Sequence, residues 1–551
     1  MAKVKAEAYL DRKRAKMYLS ADIWQGRLAR LLVILLMCVL PVYLNRQRYI
    51  ELTGNKFWFF FVCMCFILFC TLVIWAFRLL SKPRLLPQDR LSVADWAVLG
   101  FAAVTLLSAL MSPFKEYANV WIGIPEPDGR YDGAVTQLLF VAAFLIVSRW
   151  YKPRESDFVI FGFSAMIVSL IGILQFYGMD FLSLWPNHIP RYYVENFYNI
   201  FFRSTLGNIN IVSTYVCVAL LLCGFLYIKV NSKWRFLWLT ASALTFWMMI
   251  LADSFSGMVG TAGATVLSIP FVVENRKVLG RFLILGSSWV AALIAQWLFF
   301  DVQVLGVRTA QSLLPYAALL LILLAAGLLL LKFGKEPGPD APVKWKRGVI
   351  VLAAVIIVGL IGLEVVGKQA ADAGGGGVIY EARELLLRGN FQDTFGTNRI
   401  FIWRNALSVF PQTSITLPVS NDDFQYIEVF RKNPIIGTGP DTFAYSFPIE
   451  AQGFYGETYD KAHNEYIQIL ICQGILGLLC YLVFLGGVFI KAIPNVFKNP
   501  ILMAVVVAFI GYCVQAFFNI SLPIASQILW IFAGMMVNKN FSYKKGLGTR
   551  D

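Results

Sequence analysis

The chain has 551 residues, 58% of them hydrophobic and only 15% charged, with a net charge of +15 and a mean hydropathy of +0.65. Soluble globular chains carry about a quarter charged residues and roughly 45–50% apolar ones. The composition therefore excludes an ordinary soluble domain, and its high hydrophobicity excludes a disordered chain. Nine cysteines in this length are too sparse for a disulfide-stapled secreted scaffold.

Residues 1–27 form a basic segment with Lys3, Lys5, Arg12, Lys13, Arg14, Lys16 and Arg27. Apolar runs follow near 28–44, 57–77, 93–111, 133–148, 158–177, 207–228, 236–252, 256–273, 279–300, 312–331, 348–366, 465–490, 500–518 and 520–537. A bilayer-spanning helix needs about 20 such residues. The runs predict an all-α, polytopic membrane bundle of about 12–14 spanning helices with one large, partly helical extracytoplasmic loop. The count stays open because the pair meeting at Asp253–Ser256 and the last pair are divided only by short turns. The first run has no small-residue cleavage site, so it is expected to remain a span.

Lys and Arg collect in cytoplasmic loops of membrane proteins. With the N-terminus inside, alternate loops are basic: Arg78/Lys82/Arg84/Arg90, Arg149/Lys152/Arg154, Lys229/Lys233/Arg235, Arg276/Lys277/Arg281, Lys332 to Arg347, Lys491/Lys498 and the tail. With the N-terminal segment and Arg30 these regions hold 32 of the 48 Lys and Arg, whereas the short outer loops, Lys56 among them, hold eight. The positive charge is thus a topology signal. No basic stripe with interleaved aromatics marks a nucleic-acid surface. The predicted organisation is a cytoplasmic segment 1–27, about 11 spans over 28–366, an extracytoplasmic segment 367–464, about three spans over 465–538, and a cytoplasmic tail 539–551. Both termini lie inside the plasma membrane on this reading. Every cysteine falls in a predicted span, so no thiolate metal site is available outside.

Intramembrane ionisable residues are few, with Asp253 and Glu364 the clearest, and both lie near outer ends. A flippase or ion-driven transporter, the rival class, places charges near mid-span. The polar inventory gathers outside instead. The only two histidines, His188 and His463, are both predicted there. His463 lies in Tyr459-Asp-Lys-Ala-His-Asn-Glu-Tyr466, just before a long apolar helix. A helix N-terminus favours anions and a neutral imidazole, which can accept a proton. Residues 399–410 read as an amphipathic helix opened by Arg399, with Ile400, Trp403, Leu407 and Phe410 on one stripe. Next comes Asn433-Pro-Ile-Ile-Gly-Thr-Gly-Pro-Asp441, a turn able to expose backbone amides. Arg203 stands at another outer border, against the positive-inside trend, and Arg130 lies in Asp128-Gly-Arg-Tyr-Asp-Gly133. Arginine suits a phosphate through paired bonds.

Three blocks together resemble the O-antigen ligase and O-antigen polymerase family of membrane glycosyltransferases. They are Arg203 with Gly207-Asn208-x-Asn210; Arg399-x-x-x-Trp403 followed by Asn433-Pro-Ile-x-Gly437-x-Gly439-Pro; and His463-Asn464-Glu465-Tyr466-x-Gln468 running into Gly474-x-x-Gly477. The resemblance covers roughly residues 90–535. It implies transfer of a glycan from a polyprenyl-diphosphate carrier to an acceptor hydroxyl at the outer membrane face, with inversion and without metal or other cofactor. The acceptor is a glycan, lipid or protein for a ligase, and a second lipid-linked repeat for a polymerase. Carried over, the catalytic residues are His463, Arg399 and Arg203. Substrate binding falls to Arg130, Arg404, Asn208, Asn210, Gly437, Gly439, Asn464 and Glu465. The chain departs from the family pattern in about 20 residues, 411–430, standing between the Arg399 helix and the Asn-Pro-Ile block. It also reads Asp253-Ser-Phe-Ser-Gly257 where members often carry Ser-Arg-Gly.

Overall fold

A computed structural model describes residues 2–45, 52–80, 91–123, 130–177, 179, 181–182, 184, 204–252, 254–299, 313–334, 345–372, 377–421, 424–453 and 459–541. Its membrane part is helical throughout: α1 (Ala2–Ile34, continued by a wide π turn to Val42), α2 (Leu52–Leu80), α3 (Val93–Leu110), α4 (Ala134–Trp150), α5 (Glu155–Phe176), α6 (Ile209–Lys229), α7 (Arg235–Ala252), α8 (Phe255–Leu267), α9 (Arg276–Phe299), α10 (Leu314–Phe333) and α11 (Trp345–Asp372). The loop region adds α12 (Gly377–Arg383), α13 (Phe395–Val409), β1 (Ser414–Asn421) and β2 (Phe424–Arg431). Then α14 (Glu465–Val496), α15 (Pro500–Gln515) and α16 (Gln527–Val537) complete the bundle.

Among the described residues, 11 helices are long and apolar enough to cross a membrane, and α4 and α16 are shorter apolar helices. Each of the 14 apolar runs coincides with a helix, the run at 256–273 as α8 and a short turn at Ile269–Val272. The chain is an all-α, multi-pass membrane protein. Polar side chains set the helix starts: Ser92 and Asp95 form a capping box for α3, Asn208 caps α6, Asn464 caps α14 and Asn499 caps α15 ahead of Pro500.

The core centres on α6, which is buried along its length and packs against α7, α8 and α15. α14 packs on α3, and α16 on α4. By contrast α10 and α11 are almost wholly exposed, with Leu321, Ile322, Ile350 and Val358 uncovered, as suits lipid-facing helices. Lys56, which the charge pattern placed in an outer loop, is fully buried in α2 and donates to the carbonyls of Leu40 and Pro41. The carbonyls freed near Pro41 explain why a cation is held there. Glu364 near the end of α11 holds Arg383 through two bonds of 3.1 and 3.0 Å and also takes Arg388, fastening α12 to the membrane part. Asp253 lies outside the described residues.

The loop region is not purely helical. Residues 411–430, the stretch that departs from the family pattern, contain most of an antiparallel hairpin in which Ser414 pairs with Arg431 and Asn421 with Phe424. Ile415, Leu417 and Val419 recur at every second position and carry the period-two signal of a strand.

Candidate functional site

The site is assembled by one interrupted helix. At Gly474 the backbone of α14 turns to φ 72° and ψ −173°, freeing main-chain groups on either side. The turn after Asn433 fills them: Thr438 and Gly439 donate to the carbonyls of Ile471 and Cys472, while Ile475 and Leu476 donate to those of Pro434 and Ile435. Ser108 and Ser112 of the α3 end bond Cys472 and Thr438 carbonyls at 2.6 Å each. A Cβ at Gly437 would meet the Cys472 carbonyl at 2.4 Å, and one at Gly474 the Ile435 carbonyl at 2.4 Å. Both positions are restricted to glycine by close backbone approach and by positive φ.

This corrects the expectation for Gly437 and Gly439. Their amides bond Asn433 and Cys472 carbonyls and are not offered to a phosphate. Four other expected binding residues are likewise held by the scaffold. Asn208 and Asn464 accept from backbone amides as helix caps. Glu465 faces the bundle interior, with one oxygen on Tyr481 at 2.5 Å and the other on Tyr512 at 3.0 Å. Arg404 is exposed, paired with Asp393 at 2.8 Å and with the Phe391 carbonyl. It sits away from the buried face of α13, because that face is set by Arg399, Ile402, Ala406 and Val409. Of the stripe read from sequence, Ile400 is buried and Trp403 and Phe410 pack on the small core of the loop region, whereas Leu407 is exposed. Docking onto the small core of Phe443, Phe447, Tyr459, Ala462, Ile471 and Cys472 widens the buried face to take in Phe401, Ile402 and Ala406.

What remains together is Arg399, His463, Arg130 and Asn210. Gly396, Thr397 and Asn398 all adopt left-handed conformations ahead of Arg399, and Glu381 binds the Gly396 amide at 3.0 Å. The turn aims Arg399 inward, where it is 7% exposed. Its Nη2 reaches Asn210 Oδ1 at 3.4 Å, while Nε and Nη1 are buried without a partner. Burial lowers its pKa to about 10, with Glu381 opposing that fall. Such a group is built for an anion that satisfies its two empty donors.

His463 is held by its neighbours. Gln468 accepts from the Ala462 amide at 2.9 Å, and Trp403 Nε1 donates to the Ala462 carbonyl at 3.0 Å. His463 itself sits at φ 48°, immediately before the Asn464 cap. Its Nδ1 is buried without a partner. Burial first, then the Arg399 and Arg130 charges, push the imidazole pKa down to about 3, so the ring is neutral at pH 7. Arg130 pairs with Asp460 at 3.5 Å.

Sequence reading missed the device beneath. Lys461, 1% exposed, joins Asp132 at 3.2 Å and Asp441 at 2.6 Å. It thereby ties the His463 loop to the turn after Arg130 and to the Gly-Pro turn. Burial opposes the lysine charge, but Asp441 and Asp132 outweigh it and hold its pKa above the ordinary range. The only sequence signal was the acidic residues flanking each motif.

Six described non-glycine residues have positive φ: Tyr131, Ser204, Thr397, Asn398, Asp441 and His463. Each belongs to, or adjoins, a motif residue, and each costs about 1–3 kcal/mol of strain. Strain of this kind concentrates at functional sites. Ser204 adjoins Arg203, which lies outside the described residues, as does His188.

Residues 425–482 match the O-Antigen ligase family. No curated protein matches the chain. The matched span runs from the second strand of the hairpin, through the Asn-Pro-Ile turn and the His463 loop, to the interrupted helix. This multi-pass membrane protein is therefore similar to the O-antigen ligase family over residues 425–482.

Proposed function

We propose that the protein transfers a glycan from a polyprenyl-diphosphate carrier to an acceptor hydroxyl, on the extracytoplasmic side of the plasma membrane. The observation that carries this reading is the pairing of a buried Arg399, two of whose donors are empty, with a neutral His463 whose Nδ1 is equally empty. Arg399 and Arg203 take the diphosphate and stabilise its charge as it leaves. His463 receives the proton of the acceptor hydroxyl. The acceptor oxygen forms a bond to the anomeric carbon, the bond from that carbon to the diphosphate oxygen breaks, and its electron pair leaves with the diphosphate. A single displacement inverts the anomeric centre. Arg130 and Asn210 position the donor groups. Charge neutralisation by arginine makes the step metal-independent. Transfer of a finished glycan to a separate acceptor, a ligase reaction, is the form proposed.

Purified protein in nanodiscs, supplied with a polyprenyl-diphosphate oligosaccharide and candidate acceptors, is expected to give one discrete product per acceptor. The rate is expected to be unchanged by EDTA. A ladder of growing lipid-linked chains would show polymerisation instead, and loss of activity on chelation would overturn the metal-independent step.

The loop region and His463 are assigned to the outside, with both termini cytoplasmic. Single cysteines introduced at exposed Leu386 or Phe391 are expected to react with an impermeant maleimide in intact cells. A cysteine at Lys344 or Lys545 is expected to react only after permeabilisation. The reverse pattern would overturn the orientation and the extracytoplasmic reaction together.

A further inference from the structure

A groove of about 610 Å³ lies between α13, β1 and the 446–451 turn. Ligand pockets typically enclose roughly 300–1,000 Å³. Its polar lining is Asn405, Ser408, Gln412, Ser414, Thr416 and Glu450. Asn405, Ser408 and Gln412 recur along one face of α13 and its end. Among the described residues no lysine or arginine lines it, so it does not suit the diphosphate of the donor. Among the described residues, the side chains of Ser414, Thr416 and Glu450 form no hydrogen bond with the protein.

The groove is linked to the His463 loop through packed rings. Its floor includes Phe401 and Phe447, and both rings pack on Tyr459, at 6.0 and 5.3 Å between centroids. Tyr459 is four residues before His463 on the loop that Lys461 anchors. The hairpin supplies the outer wall through Ser414, Ile415, Thr416 and Leu417.

We infer that this groove binds the saccharide portion of the acceptor through neutral hydroxyl and amide groups. The inference rests on the transfer reading above. A peptide added as a strand to β1 is the competing occupant, and Pro418 within β1 removes an amide from that strand.

A photo-crosslinking phenylalanine analogue placed at Ser408, at Thr416, or at exposed Leu386 as control would be expressed in the full chain in its native cell. Irradiation is expected to give periodate-sensitive, protease-resistant adducts at 408 and 416 but not at 386. They are expected to persist with His463→Gln in the same chain, since binding does not need the chemistry. Ser408→Trp is expected to raise the acceptor KM at least about tenfold, or about 1.4 kcal/mol, with retention of labelled polyprenyl-diphosphate oligosaccharide unchanged. Absence of saccharide adducts at 408 and 416, or protease-sensitive adducts there, would overturn the groove assignment while leaving the arginine and histidine chemistry standing. Saccharide adducts in a protein whose Arg399 and His463 variants transfer at full rate would overturn that chemistry and leave the groove.

Discussion

Arg399→Ala is expected to cut kcat by about 10²–10³-fold, the usual loss when one donor to a developing anion is removed from a preorganised site. The protein should still insert and fold, because Arg399 makes only one long bond, at 3.4 Å, to Asn210. Removing it relieves a buried charge instead of orphaning a partner. That asymmetry separates a substrate-binding arginine from a structural one. A structural arginine would cost stability on removal; here the expected result is an unchanged or raised melting temperature beside a lost rate. Arg399→Lys is expected to restore only a small part of the rate. A lysine is a point charge and cannot fill the two donor directions of Nε and Nη1. Transfer rates measured in nanodiscs decide the matter. Full activity in Arg399→Ala would remove this residue from the reaction.

The membrane part of this fold was legible because lipid imposes a strong rule. A span must satisfy all its backbone groups internally and be apolar for about 20 residues, and each of the 14 apolar runs became a helix. The same rule explains why Lys56 was misread. A lysine directly before the aromatic-rich run at 57–77 looks like a loop residue unless the carbonyls at Leu40 and Pro41 that neutralise its burial are known, and those lie on another helix. In the loop region the motif residues were recognisable, but their division of labour was not. Gly437 and Gly474 are conspicuous in sequence as a possible phosphate cradle. Their purpose follows only from the contact between two segments some 40 residues apart, where each glycine's missing Cβ makes room for the other's backbone. The Asp132–Lys461–Asp441 cluster is likewise a product of tertiary contact across 329 and 20 residues. No local period encodes it. The hairpin was absent from the reading because two short strands in a chain dominated by helical runs carry little weight against them.

The site also shows how positioning is divided from chemistry. Lys461, Asp132 and Asp441 are buried beneath the His463 loop. They fix the chain two residues before His463, just as Trp403 and Gln468 lock Ala462 directly before it. A loop restrained at its preceding residue, its following cap and its underside can hold the imidazole at φ 48°. Reaction geometry must be fixed to within about 0.5 Å for such catalysis, and rigid support of this kind supplies it.

His463→Gln is expected to lower turnover by roughly 10²–10⁴-fold, the usual contribution of a general base, with donor retention nearly unchanged because Arg399 is intact. The pH dependence gives a sharper test. The profile of kcat/KM reports the free enzyme and that of kcat the donor-bound enzyme. In the free protein the imidazole pKa is held to about 3, by burial and then by Arg399 and Arg130. The active form is neutral, so rate falls only as pH drops through the pKa. From this group kcat/KM is therefore expected to stay flat from pH 8 down to about 5. A bound diphosphate offsets the two arginine charges and raises the imidazole pKa. The acid-side fall of kcat should then come at a higher pH than that of kcat/KM. The acid-side falls due to this group should vanish from both profiles in His463→Gln. If that variant kept the wild-type rate and an unchanged profile, His463 would be only the residue before a helix cap. The proton would then have to pass to another group. Glu465 is closed off by Tyr481 and Tyr512, which leaves Asp460, beside Arg130 and raised by burial above the usual carboxylate range, as the side chain to mutate next.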